Sequence, residues 1–369
     1  MISTPRNNYK KAQGKHIVKN WLIYGANGYS GELIALKSVA SGMSPILAGR
    51  NKEEIRPLAE SLGLSHRIFS LQDIDVVKKH IGDVAVVLHC AGPFSKTAPA
   101  MMQACLESGT HYLDITGEIA VFEAAQRLAK KAEENKVVLC PGVGMDVIPT
   151  DCVAAQLKLK MPDATCLKLG IDFRGSLSRG TAKTSVEGAA KGGKIRKEGE
   201  ILTVPLAHKQ SWIDFGNGEK FSMTIPWGDV STAYWTTGIP NIEVYISTTR
   251  KAFWALKALN YIRALLGLGW VQRMLKKRID QSPRGPTGEQ RKVSRTHVWG
   301  EVKNRAGQKL CCRITMANGY DVTVDGSIAC VSHLLNEAGV VGTLTPSQLL
   351  GPDLIETLPG STTFVFGVD

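Results

Sequence analysis

The sequence has eight cysteines but no Cys-x-x-Cys pair, and none of its Cys/His sets has zinc-ligand spacing. A dithiol redox motif and a structural zinc site are thereby excluded, and no metal ligand set is expected. The cysteines fall at 90, 105, 140, 152, 166, 311, 312 and 330. Several lie in apolar stretches, where a reduced thiol behaves as a small hydrophobe. That usage fits a reducing compartment, and a cytoplasmic location is expected. Apolar runs of bilayer length are also missing: the best candidate, 251–279, is interrupted by Lys257, Asn260 and Arg263. Residues 1–19 are polar and basic, lack the apolar core of a secretory signal and read as a flexible leader. Internal repeats are absent. The formal charge is +12 and the pI about 9.3, yet the cations are dispersed and no RNA- or DNA-binding signature accompanies them. A solvated basic surface is preferred to a nucleic-acid partner, and a phosphorylated cofactor also suits the charge.

What is present fits a globular enzyme. The 369 residues are 43% hydrophobic and 21% charged, and the length suggests two domains. The chain is organised around Asn20–Gly31, NWLIYGANGYSG. Trp21–Tyr24 is an apolar run of strand length; Gly25, Gly28 and Gly31 follow; Glu32–Ala40 then has helical periodicity. A strand entering a glycine turn that opens a helix is the context in which such a triplet points to a dinucleotide. Gly25 permits the tight turn, Gly28 the approach of a pyrophosphate and Gly31 close helix packing. The helix N-terminus supplies free N–H groups to the phosphates.

Pro45–Ala48 is a second strand, followed by Arg50 nineteen residues beyond Gly31. An acidic residue there would hold the ribose hydroxyl of NAD; arginine instead accommodates the 2′-phosphate, so NADP is expected. Asp83–Leu88 reads as a buried parallel strand ending in the small-residue loop Ala91-Gly92-Pro93. A helix at Ala98–Ser108, a strand at His111–Leu113, a helix at Ile119–Asn135 and a strand at Val137–Cys140 follow. Thr116 is a candidate cap for that second helix, and Glu118 is placed to complement its dipole. This alternation defines an α/β, doubly wound parallel sheet of Rossmann type over 20–150.

From about 165 the pattern changes to an α+β substrate or dimerisation domain, taken as 151–330, with an antiparallel or mixed sheet. Strand-like stretches occur at Cys166–Phe173, Glu200–Val204, Lys220–Ile225, Asn241–Thr248, Arg295–Lys303 and Lys309–Ala317, the last two forming a hairpin. The segment 331–369 would pack back on the first domain. Arg179 and Lys183 stand among hydroxyls and glycines before a small-residue helix, a setting for a carboxylate or phosphate or for a capped loop. Residues 251–279 read as a basic amphipathic helix. Packing on the second domain or in a homodimer interface is preferred there to membrane or lipid contact.

GANGYSG, LAGRN, HCAGPF, GTHYLDITGE, PGVGMDVIPTD, RGTAKTS and GTLTPSQLLG occur in the order seen in the saccharopine dehydrogenase-like family. The sequence resembles that family's short branch, which includes trans-acting enoyl reductases. The resemblance implies an oxidoreductase that binds NADP and transfers hydride to or from a C=N or C=C bond of a small-molecule or acyl substrate. It places Gly25, Asn27, Gly28, Tyr29 and Gly31 at the pyrophosphate turn, Arg50 at the 2′-phosphate, and Ala91, Gly92 and Pro93 near the reactive ring. None of the eight tyrosines has lysine four residues on, which excludes the short-chain dehydrogenase machinery. Val143 stands where a semialdehyde dehydrogenase would have its thiol. A non-catalytic NADPH-sensing protein remains an alternative. His89, Asp114, Asp146 and Asp151 are the candidate proton donors at the sheet edge. Arg174, Arg179, Arg284 and Arg291 are available for a substrate with several carboxylates; the 253–270 segment suits an acyl chain.

Overall fold

The computed structural model describes residues 20–173, 178–337 and 339–367. The leader 1–19 and Arg174 lie outside them.

The first sheet is built from six strands in the N-terminal part: β1 (Trp21–Tyr24), β2 (Ile46–Gly49), β3 (His66–Ile68), β4 (Val86–His89), β5 (His111–Asp114) and β6 (Val138–Cys140). All pairings are parallel, in the spatial order β6-β5-β4-β1-β2-β3, and Gly342–Thr343 adds a seventh strand beside β6. All four residues of β1 are buried because helices cover both faces. Trp21 and Ile23 join a core with Ile34, Val324 and Val331. Leu22 and Tyr24 face Val77, Met101 and Cys105 on the other side. The expected α/β doubly wound architecture is therefore the one observed.

The second sheet uses β7 (Ala164–Phe173), β8 (Gly193–Lys197), β9 (Glu200–Val204), β10 (Gln210–Asp214), β11 (Glu219–Thr224), β12 (Asn241–Ser247), β13 (Thr296–Asn304) and β14 (Lys309–Met316). It is mixed: β12 runs parallel to β7, whereas β7–β13 and the β13–β14 hairpin are antiparallel. Helix Ile148–Lys160 covers one face, with Val153 and Leu157 packed on Leu169 and Val302. A Cβ at Gly300 would lie 2.6 Å from Val153 Cγ1, so glycine lets this helix sit directly on the sheet.

Three expectations need correction. A boundary at 330 cuts helix Gly319–Asn336, whose Val324 and Val331 complete the first domain's core. The tail is shared: Gly342–Thr343 joins the first sheet, and Val365–Gly367 pairs with β14 in the second. The 251–279 segment is not one helix. It breaks into Arg250–Leu259, a turn at Asn260–Ile262, Arg263–Leu266 and Gly269–Asp280. Gly267 and Gly269 flank the last break, where the helical backbone is least favoured.

Candidate dinucleotide site and interdomain junction

Gly25 has φ +83°, and a Cβ there would come within 2.7 Å of Ala91 Cβ. The β1 turn thus closes directly onto the β4 loop. A Cβ on Gly31 would stand 2.5 Å from Gly25 O, so helix Tyr29–Ala40 is packed against the turn as close as backbone allows. Gly28, with its N–H bound to Gly25 O at 3.0 Å, precedes the helix without a side-chain cap. The helix N-terminus is left to an anion. This cradle, too tight for any side chain, fits a dinucleotide pyrophosphate.

Arg50 projects exposed from the end of β2, without an acidic partner among the described residues. Ala91, Gly92 and Pro93 form the loop after β4, and the Gly92–Pro93 peptide is cis. Asn27 and Tyr29 differ from expectation in where their side chains go. The Tyr29 hydroxyl donates to Pro286 O and accepts from Arg291 Nη1 at 2.9 Å; its ring lies against Gly285 and Tyr320. Asn27 donates to Glu54, and its carbonyl accepts from Arg284 at 2.6 Å. A strap over 282–287 from the second domain is thereby fastened to the glycine turn. Asn27, Glu32, Glu54, Leu58, Arg179 and Arg284 line a cavity of about 500 Å³ beside it.

The expected substrate cations are used in the same fastening. Arg179 donates to Ser282 O at 2.7 Å, and Lys183 pairs with Asp280 at 2.5 Å. Arg284 pairs with Glu32 and Arg291 with Asp321. Ser178 caps helix Arg179–Lys191 through the Thr181 N–H. Arg179 and Lys183 therefore hold the strap, and of the two only Arg179 also lines the cavity beside the glycine turn.

His89 is fully buried among Tyr24, Phe94 and Tyr112. The Thr97 hydroxyl donates to Ala91 O at 2.7 Å, so His89 Nε2 must donate to Thr97 at 2.9 Å, and Nδ1 has no partner. Burial pulls its pKa down to about 3. It is neutral and sealed away, not a proton donor. Asp114 is also fully buried and accepts from Tyr112 Oη at 2.6 Å, Gly142 N–H at 2.8 Å and Thr116 N–H at 2.9 Å. It ties the end of β5 to the loop after β6. Asp151 is likewise internal, accepting from Thr236 and the Ser347 N–H. Glu118 has a role that spacing did not show. Its carboxylate accepts the Phe94 and Ser95 N–H groups, capping helix Phe94–Ser108 rather than its own. Thr116 caps no helix; it accepts the Glu118 N–H within the loop.

Asp146 is different. It is partly exposed in the loop after β6, and no hydrogen bond or ion pair among the described residues holds its carboxyl group. Desolvation raises its pKa to about 6. Its Oδ2 would lie 2.5 Å from a Cβ on Gly117, and Gly117 O faces Gly228 of the second domain. The absence of a side chain at 117 and 228 lets this acid stand where the two domains meet.

The fold and this cradle define a two-domain dinucleotide-binding protein, with a Rossmann-type domain and a mixed-sheet domain strapped to it. Residues 21–140 match the family model for the saccharopine dehydrogenase NADP binding domain. Residues 21–140 are thus a domain of this NADP-binding type. A trans-acting enoyl reductase of Mycobacterium tuberculosis is 31% identical over 144 residues, 37% of this chain and 34% of that protein. A mouse saccharopine dehydrogenase-like oxidoreductase is 27% identical over 202 residues, 48% of this chain and 47% of its own. The chain thus matches a third to a half of these relatives' lengths. Apo saccharopine dehydrogenase (L-Glu forming) from Saccharomyces cerevisiae superimposes with a TM-score of 0.60 at 12% identity. The match covers 95% of this chain and 100% of that one, and it shows a common fold.

Proposed function

We propose that the protein is an NADPH-dependent oxidoreductase that reduces a C=C or C=N bond at the junction of its two domains. The observation that carries this is the side-chain-free cradle of Gly25, Gly28 and Gly31 with unpaired Arg50 beside it. NADPH supplies a hydride when bound. Gly28 and the helix N-terminus hold its pyrophosphate; Arg50 holds the 2′-phosphate. The 282–287 strap closes the turn through Tyr29 and Asn27. Asp146, protonated in part near neutrality, delivers the accompanying proton to the carbon or nitrogen that does not receive hydride.

The engaged arginines favour one substrate class. Arg179, Arg284 and Arg291 each bind backbone or side chains of the strap and glycine turn. A substrate with several carboxylates would have to share these guanidinium groups with the contacts they already make. An enoyl group on an acyl chain, the substrate class suggested by the mycobacterial relatives' name, makes no such demand.

The test is fluorescence titration with NADPH and NADH, with Arg50→Asp alongside. A lost charge-assisted contact of about 2–3 kcal/mol weakens NADPH roughly 30- to 150-fold, while NADH changes little. Equal affinity for both nucleotides would overturn the role of Arg50. Tight NADPH binding without turnover of enoyl or imine substrates would leave an NADPH-sensing protein.

A further inference from the structure

Residues 250–279 contain eight lysines and arginines and no acidic residue. Of their apolar side chains Phe253 alone is fully enclosed, against Phe221 and Met223 of the second sheet. Leu256, Leu259, Leu266, Val271, Leu275 and Ile279 are half-buried, whereas Tyr261 is 93% exposed, Trp254 62% and Trp270 61%, and Ile262, Leu265 and Met274 are exposed with them. Lys251, Lys257, Arg273, Lys277 and Arg278 are exposed on the same short helices. Lys257 Nζ lies 5.4 Å from the Trp254 ring centre, so cations and aromatics share one surface. Arg250 extends it to exposed Trp212, 5.6 Å away.

We infer that this helical cluster docks the protein on an anionic phospholipid surface. Tryptophan and tyrosine favour the headgroup level of a membrane, where an apolar ring and a polar edge are both satisfied. Lysine and arginine stems lie along apolar surface while their heads reach lipid phosphates. Short helices broken at Asn260–Ile262 and Gly267 can lie flat together at an interface. No helix among the described residues is long and apolar enough to cross a bilayer, so the contact is peripheral. A second copy of the chain is the wrong occupant. A twofold self-contact would set this cationic surface against itself, with no acid in 250–279 to compensate. The packing on the second domain preferred from sequence holds for one side of the segment, through Phe253, Leu256, Gln272 and Lys276, and the membrane reading rests on the side where Trp254, Tyr261, Leu265, Trp270 and Met274 are left uncovered.

The experiment is co-sedimentation of the full chain with vesicles of phosphatidylcholine alone or mixed with phosphatidylglycerol. Binding to the anionic vesicles is expected to be roughly tenfold stronger or more, and to weaken as salt is raised. Trp254→Ser with Trp270→Ser should reduce it roughly tenfold, and Lys277→Glu with Arg278→Glu likewise. These positions are exposed, so thermal melting should match the wild type and confirm folding. Equal binding to both vesicles, or full binding by the tryptophan variant, would overturn the inference. So would absence of vesicle binding, with or without self-association that the same substitutions abolish.

Discussion

Gly31→Ala tests the cradle most directly. The added Cβ would stand 2.5 Å from Gly25 O and 3.0 Å from Ala26 Cα, both backbone atoms with no rotamer to yield. Ordinary carbon contacts begin about 1 Å further out, so the helix or the turn must move by nearly that much. Overpacking of this kind costs about 1–3 kcal/mol. Alanine's better helix propensity offsets at most about 1 kcal/mol, less in a first turn. A net loss of about 1–2 kcal/mol is expected, with NADPH bound roughly tenfold more weakly. Gly188→Ala is the matched control. It lies inside helix Arg179–Lys191, and a Cβ there meets nothing within 4 Å. Propensity alone acts, and the variant should gain about 1 kcal/mol. Urea midpoints and NADPH titrations of the two variants should move in opposite directions from the wild type in stability. A Gly31→Ala protein with wild-type midpoint and NADPH affinity would refute the packing argument.

Asp146→Asn should keep NADPH binding but lose turnover roughly 10²- to 10⁴-fold. Because its folded pKa is raised to about 6, its contribution to stability is fully present below the ordinary 3.8 and is lost as pH rises through 6; the wild-type urea midpoint relative to Asp146→Asn should fall over that window. His89 has the opposite sign. With a folded pKa near 3 against an ordinary 6.5, its contribution is present above 6.5 and lost as pH falls toward 3. His89→Phe should lack that acid-side loss in a pH series of midpoints. Glu118→Ala removes the acceptor for two N–H groups at the start of helix Phe94–Ser108. It should cost about 1–2 kcal/mol in urea denaturation, with the β4–helix loop becoming the first region to exchange amide hydrogens.

The glycine turn, Arg50 and the alternating strands were legible in the sequence because each rests on neighbours in the chain. Gly25 needs its positive φ, and Gly31 is excluded from bearing a side chain by a residue six positions earlier. The strands show as apolar runs because both faces of a parallel sheet are covered. The differing environments of the candidate acids were not legible. His89 and Asp114 end neighbouring strands and Asp146 lies in the loop after β6, and their surroundings separate a bolted carboxylate and a sealed imidazole from an acid left without a partner.

What the sequence by itself determined was the first domain: its strand order of appearance, its glycine turn and the arginine that follows β2. Those features are local, set by periodicity, backbone freedom and residue type. Tertiary structure alone decided the use of the same residues across the chain. Glu118 caps a helix 24 residues upstream, Tyr29 fastens a strap 257 residues away, and helix Gly319–Asn336 returns to complete the first core. Such contacts depend on which surfaces the folded chain brings within hydrogen-bond or van der Waals reach, and no pattern within a single segment carries that distance.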